Sequence, residues 1–115
     1  MEGIASVKEL LEELKAGRPV ILVDDEDREN EGDLIMAAEK VTAETMAFMI
    51  RHTSGVICMP TLGERLDDLR LPLMVAHNTE VQRTAFTISV DAVHGTTTGI
   101  SAADRKRVLK RFVRL

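Results

Sequence analysis

The feature that most constrains this chain is a short apolar run that ends abruptly in carboxylates. Val20-Ile21-Leu22-Val23 follows Pro19 without interruption, the mark of a strand buried on both faces. The next ten residues, Asp24-Asp25-Glu26-Asp27-Arg28-Glu29-Asn30-Glu31-Gly32-Asp33, hold seven carboxylates. Side chains so crowded with one sign of charge repel, so the segment must lie at a surface and be relieved by water or a cation. Hard divalent ions such as Mg²⁺ take oxygen ligands and keep several waters, so one or two of these carboxylates plus a substrate could complete a site. The position after a strand is where α/β proteins commonly bind ligands. Arg28, inside the run, could hold a carboxylate or a substrate phosphate as a bidentate donor. An EF-hand loop is excluded by the glycine and glutamate spacing. A solvated acidic turn with no ligand is the other reading of the charge alone.

The rest of the chain reads as interleaved strands and helices. Ser6 and Glu9 form a capping box ahead of Val7, Leu10, Leu11 and Leu14, and Gly17 is a natural stop. Leu34 to Ala38 reads as a second strand, with helix still possible. Thr42 caps a second helix with Met46, Ala47 and Ile50 inward, ending near Thr53-Ser54-Gly55. Val56 to Met59 reads as a buried strand closed by Pro60. Thr61 with Glu64 makes a further capping box for a short helix carrying Leu62, Leu66 and Leu69. Residues 71–83 lack a period and read as loop. Phe86, Ile88, Val90 and Ala92 alternate with Thr87, Ser89 and Asp91, as in a strand with one apolar face. Gly95 to Gly99 is a turn, and Ser101 with Asp104 opens a last helix containing Val108, Leu109, Phe112 and Val113. With 115 residues and no repeat or linker, the expectation is one mixed α/β domain.

Composition narrows the setting. Apolar residues make up 44% and charged residues 30%, an ordinary soluble balance with no run long enough for a membrane helix. The first 17 residues lack the basic start and unbroken apolar core of a secretory signal. A single cysteine, Cys58, permits no internal disulfide and suits a reducing cytoplasm. The formal charge of -4 argues against nucleic acid as main partner. Against that average, Arg105, Lys106, Arg107, Lys110, Arg111 and Arg114 crowd the end of the chain. They suggest either anions and acidic partners, or a solvated helix face with Val108, Leu109 and Phe112 on the other side.

The acidic string resembles the signature loop of the 3,4-dihydroxy-2-butanone-4-phosphate synthase family. Further segments are similar in family order: Arg51-His52-Thr53-Ser54-Gly55 with Cys58, Leu71-Pro72-Leu73-Met74, Asn78-Thr79, Thr84-Ala85-Phe86-Thr87 and Thr97-Thr98-Gly99-Ile100-Ser101-Ala102-Ala103-Asp104-Arg105. The resemblance covers roughly residues 5–105, so 1–105 is expected to be the N-terminal part of a synthase domain and 106–115 a basic helix or tail departing from it. It implies an α/β (α+β) three-layer sandwich with a mixed twisted sheet, here truncated. It further implies a cytoplasmic, homodimeric lyase of riboflavin biosynthesis. That lyase turns D-ribulose 5-phosphate into 3,4-dihydroxy-2-butanone 4-phosphate and formate with Mg²⁺ or Mn²⁺, two divalent ions per site. No nucleic-acid or membrane partner is implied, and some members are fused to GTP cyclohydrolase II.

By motif position, Glu29 resembles the family's metal-binding glutamate and a substrate contact. Arg28 and Asp33 look like substrate contacts, and Glu31 and Asp24 are candidate acid–base or positioning groups. Cys58 matches a cysteine near the family's site, with a small hydrophobe in a buried strand as the alternative. Thr98 and Ser101 precede the last helix, where free N–H groups could hold an anion; capping is the alternative for Ser101. His52, His77 and His94 lack metal-ligand spacing, and Met36, Met46, Met49, Met59 and Met74 read as core filler. The family's second half carries a His-Thr-Glu segment with a metal-binding histidine, a substrate arginine and a later glutamate, none of which matches here. The expectations that follow are exposed apolar surface and little or no lyase activity unless another chain completes the site. A non-catalytic fragment or interaction module keeping a weak metal or sugar-phosphate site is the alternative function.

Overall fold

The computed structural model describes residues 3–113. The first helix, α1 (Val7–Lys15), begins where the sequence places it. The Ser6 hydroxyl accepts from the Glu9 N–H at 3.3 Å, and the Glu9 carboxylate accepts from the Ser6 N–H at 2.7 Å. Gly17 then takes a φ of 80°, which a side chain would oppose, and turns the chain into the first strand. Replacing Ser6 by alanine removes one partner of this reciprocal box. The expected loss is about 1 kcal/mol, read as a shift in the urea midpoint without a change in slope.

Strand β1 (Val20–Val23) pairs antiparallel with β2 (Gly32–Ile35), Val20 opposite Ile35 and Val23 opposite Gly32. The acidic stretch is therefore the loop of a hairpin rather than the start of a crossover. β2 begins two residues earlier than expected and stops at Ile35. Residues Ala38–Lys40 form a single 3₁₀ turn. Burial on both faces of β1 does not hold in this chain, because Val20 is buried but Ile21, Leu22 and Val23 are exposed.

The core lies between two helices. α2 (Ala43–His52) starts with a second reciprocal box, Thr42 with Thr45, and buries Met46 completely. α4 (Ala102–Val113) packs across α2 and brings Leu109 against Met46 and Val41. Met36, Ile50, Ile57, Met59 and Ala102 close around these three. Met46 and Ile50 thus face inward as expected, whereas Ala47 is exposed and Met74 stands free of the core.

Three further expectations are corrected. Residues 56–59 run extended but form no ladder, and their burial alternates: Ile57 and Met59 turn to the core, Val56 and Cys58 to solvent. The short helix α3 (Gly63–Asp68) has no side-chain cap; the Thr61 hydroxyl instead donates back to the Met59 carbonyl at 3.0 Å. Residues 86–92 make one isolated bridge, Thr87 to Leu73, and leave Phe86, Ile88 and Val90 exposed. A strand needs a partner for its N–H and C=O groups along its length; Phe86 and Ile88 bond across only to Met74 and Pro72, and neither segment joins a ladder among the described residues.

The unmatched apolar faces meet in one open groove of about 870 Å³. Ile57 and Met59 line one wall, Phe86, Ile88 and Val90 another, and Val108 with Phe112 of α4 the floor. This groove is part of the expected exposed apolar surface, and Ile21, Leu22, Val23 and Leu62 are exposed outside it.

Candidate active site

The hairpin loop is shaped by one of its own carboxylates. Asp24 is half-buried at the end of β1, and its two oxygens accept backbone N–H groups from across the loop, Glu31 at 3.0 Å and Glu29 at 3.2 Å. Arg28 approaches the same carboxylate only to 3.9 Å, so the backbone amides dominate. The Glu31 N–H, then the Glu29 N–H and the Arg28 charge hold the Asp24 carboxyl below the usual aspartate range. Asn30 takes a φ of 50° to complete the turn, a conformation asparagine tolerates better than most residues. Arg28, Glu29, Glu31 and Asp33 remain exposed around this clamp.

A second organised element precedes α4. The Asp104 carboxylate is buried and gathers donors from upstream: the Thr97 hydroxyl at 2.6 Å, the Thr97 N–H at 3.1 Å and the Gly99 N–H at 3.0 Å. Ser101 caps the helix, its hydroxyl accepting the Asp104 N–H at 3.1 Å. Gly99 has a φ of 83°, so a side chain there would be strained and would also have to displace the Asp91 carboxylate, whose Oδ2 lies 2.6 Å from where a Cβ would stand. Arg105 ties this turn to the end of α2, donating to the Ile100 and Gly55 carbonyls. The Thr97 hydroxyl, then the Thr97 N–H, the Gly99 N–H and the Ser101 hydroxyl hold the Asp104 carboxyl at about 2, against an ordinary value of 3.8.

This depression has a sign. Because the folded-state value lies below the unfolded one, Asp104 contributes stability that is complete above pH 4 and is lost as pH falls toward 2. Acid titration of stability should show that decline, and Asp104→Asn should flatten it. A parallel decline in the variant would assign the acid sensitivity elsewhere.

The two elements are not brought together by these residues alone. Cys58 and Thr98 line the apolar groove, whereas Asp24, Arg28, Glu29, Glu31, Asp33 and Ser101 are not on its walls. Cys58 is exposed, on an extended segment that joins no ladder among the described residues. His52 lies against Phe48, ring centroids 4.5 Å apart and planes tilted by 47°. Among the described residues, no three of His, Cys, Asp and Glu gather into a group that could hold a metal. Glu29 is exposed on the hairpin and belongs to no such group. The sequence reading missed Asp104 and Arg105 as organisers of the turn that carries Thr98. The spacing Ser101 to Asp104 pointed to a capping box, and nothing local shows that the carboxylate turns back to residues 97–99 instead.

The class is thus an α+β fold that presents carboxylate oxygens on a hairpin and leaves an apolar groove open. The chain belongs to the 3,4-dihydroxy-2-butanone 4-phosphate synthase family, whose model matches residues 8–114. It is 53% identical over 110 residues to the 3,4-dihydroxy-2-butanone 4-phosphate synthase of Agrobacterium fabrum, covering 96% of this chain and 52% of that protein. It is 58% identical over 106 residues to a probable bifunctional riboflavin biosynthesis protein of Oryza sativa subsp. japonica, described as chloroplastic, covering 90% of this chain and 20% of that one. A crystal structure of 3,4-dihydroxy-2-butanone 4-phosphate synthase in complex with two magnesium ions superposes with a TM-score of 0.90 at 50% identity, over 95% of this chain and 51% of its own. The chain spans about half the length of the synthases of Agrobacterium fabrum and Schizosaccharomyces pombe that it matches.

Proposed function

We propose that these residues form the N-terminal share of a lyase site that converts D-ribulose 5-phosphate into 3,4-dihydroxy-2-butanone 4-phosphate and formate, in riboflavin biosynthesis. The observation that carries this reading is the Asp24 clamp. It spends one carboxylate on the Glu29 and Glu31 amides and so displays their side chains together on a rigid hairpin. Asp24 is a positioning residue in this scheme, since both its oxygens are engaged and its lowered pKa makes it a poor proton acceptor. Glu29 would hold a divalent ion, Mg²⁺ or Mn²⁺, whose chemistry is to stabilise negative charge developing on adjacent sugar oxygens. Arg28 and Asp33 bind the sugar phosphate, by charge and by hydroxyl hydrogen bonds respectively. Glu31 takes and returns the proton that enolisation of the ketose releases. Cys58 and Thr98 belong to the groove wall, and the 97–101 turn, set by Asp104, offers N–H groups to an anion.

The exposed groove fits cover by further polypeptide, and a homodimer with the remaining ligands near its interface is the proposed working form. None of the described helices is long and apolar enough to cross a membrane, and an unpaired exposed Cys58 suits the cytoplasm.

Formate release and Mg²⁺ binding test the reading together. The 115 residues alone should bind Mg²⁺ weakly and release no formate from ribulose 5-phosphate. Joined to the other half of the Agrobacterium fabrum protein, they should turn over. A joined protein that folds and binds Mg²⁺ yet gives no formate would favour the second reading, a non-catalytic module with a weak metal or sugar-phosphate site. The incomplete ligand set is the observation behind that alternative.

A further inference from the structure

On the face of α4 turned away from the apolar groove, Lys106, Arg107, Lys110 and Arg111 line a depression of about 400 Å³, with Ala43 and His94 on its far side. Lys106 and Lys110 stand one turn apart, as do Arg107 and Arg111, so each pair repels. Only Arg107 has an acidic partner, Asp104 at 3.2 Å. Lys110 donates to a neutral acceptor, the Glu39 carbonyl, while Lys106 and Arg111 form no ion pair among the described residues. Lys106 and Lys110 are moreover half-buried, so water screens them less than it screens the lysines of α1.

We propose that this depression is an anion site for a small phosphate-bearing ligand with at least two negative charges, pyrophosphate being the simplest. The volume lies in the range of small-ligand sites, and ammonium and guanidinium groups on one helix face offer both point charge and planar donors to phosphate oxygens. The site does not rest on the lyase reading: none of its residues lies on the acidic hairpin or on the wall of the groove that holds Cys58 and Thr98, and it touches that reading only where Arg107 pairs with Asp104.

Titration of the chain with pyrophosphate at fixed ionic strength, followed by amide chemical shifts, tests the assignment. Saturable shifts are expected at His94, Lys106, Lys110 and Arg111. The double variant K106Q/R111Q should bind about tenfold more weakly, while K8Q/K15Q on α1 should be unchanged. If the double variant fails to fold, R111Q alone, at an exposed position, should weaken binding about threefold. Inorganic phosphate should bind more weakly than pyrophosphate at the same residues. Non-saturating shifts, equal losses in both double variants, or shifts centred on residues 97–101 would overturn the proposal. So would tighter binding of ribulose 5-phosphate than pyrophosphate at these residues, since the depression would then serve the substrate.

Discussion

Met46→Ala is expected to destabilise this chain by about 2–5 kcal/mol, the largest effect of any single truncation in it. Among the described residues Met46 is the one large side chain with no exposed surface, and it lies where Val41 and Leu109 meet. Removing its thioether arm loses the transfer free energy of the buried atoms and leaves a cavity between two helices capped at their own starts. Those caps hold each helix in place locally, so the walls cannot readily collapse. Against a total stability of about 5–15 kcal/mol for an ordinary domain, such a loss removes a large share of the margin. Met46→Leu, which keeps most of the volume, should cost less than about 1.5 kcal/mol. Met74→Ala, at a position 59% exposed, should change stability by no more than about 0.5 kcal/mol. Chemical unfolding of the three variants checks the order. Equal losses at Met46 and Met74 would mean that the core does not sit between α2 and α4.

The contrast between those two methionines marks where the sequence could be read and where it could not. Helices α1 and α2 were legible because their signals are local: Ser6 with Glu9 and Thr42 with Thr45 lie within one turn of what they stabilise. Residues 20–23 were legible as a strand, but not their partner, since pairing depends on where the chain returns. Residues 56–59 and 86–92 have the composition of strands, yet composition supplies only one side of a ladder. Their apolar faces line an open groove instead. Methionine is equally at home in core and groove, so Met46 and Met74 look alike until the fold separates them.

The same division runs through the site. The acidic string and its resemblance to a known family were visible at once, because both reside in consecutive residues. The division of labour inside the string was not. Asp24 differs from its six acidic neighbours only in receiving two amides from five and seven residues away. Asp104 likewise follows a capping pattern, while its carboxylate serves Thr97 and Gly99. In both cases backbone N–H groups are among the partners, joined at Asp104 by the Thr97 hydroxyl, and a backbone N–H is carried by every residue but proline, so no sequence pattern announces it.

Glu29→Gln should abolish what Asp24→Asn only weakens. In the joined protein described above, the glutamine removes a charged oxygen ligand while leaving the hairpin intact, since the amide that Asp24 accepts belongs to the Glu29 backbone. Formate release should fall by at least about 100-fold, because even outer partners of metal ligands cost about 10- to 100-fold when lost. The apparent Mg²⁺ affinity should fall in parallel, and excess Mg²⁺ should recover part of the rate. Asp24→Asn keeps one oxygen for an amide but loses the charge and sets an NH₂ against the second N–H. That loosens the display of both glutamates, so the rate should drop about tenfold with a smaller change in Mg²⁺ affinity. An Asp24 variant as inactive as Glu29→Gln, with its hairpin amide shifts unchanged, would make Asp24 a participant in the chemistry. Full activity in Glu29→Gln at limiting Mg²⁺ would remove Glu29 from the metal's ligand set.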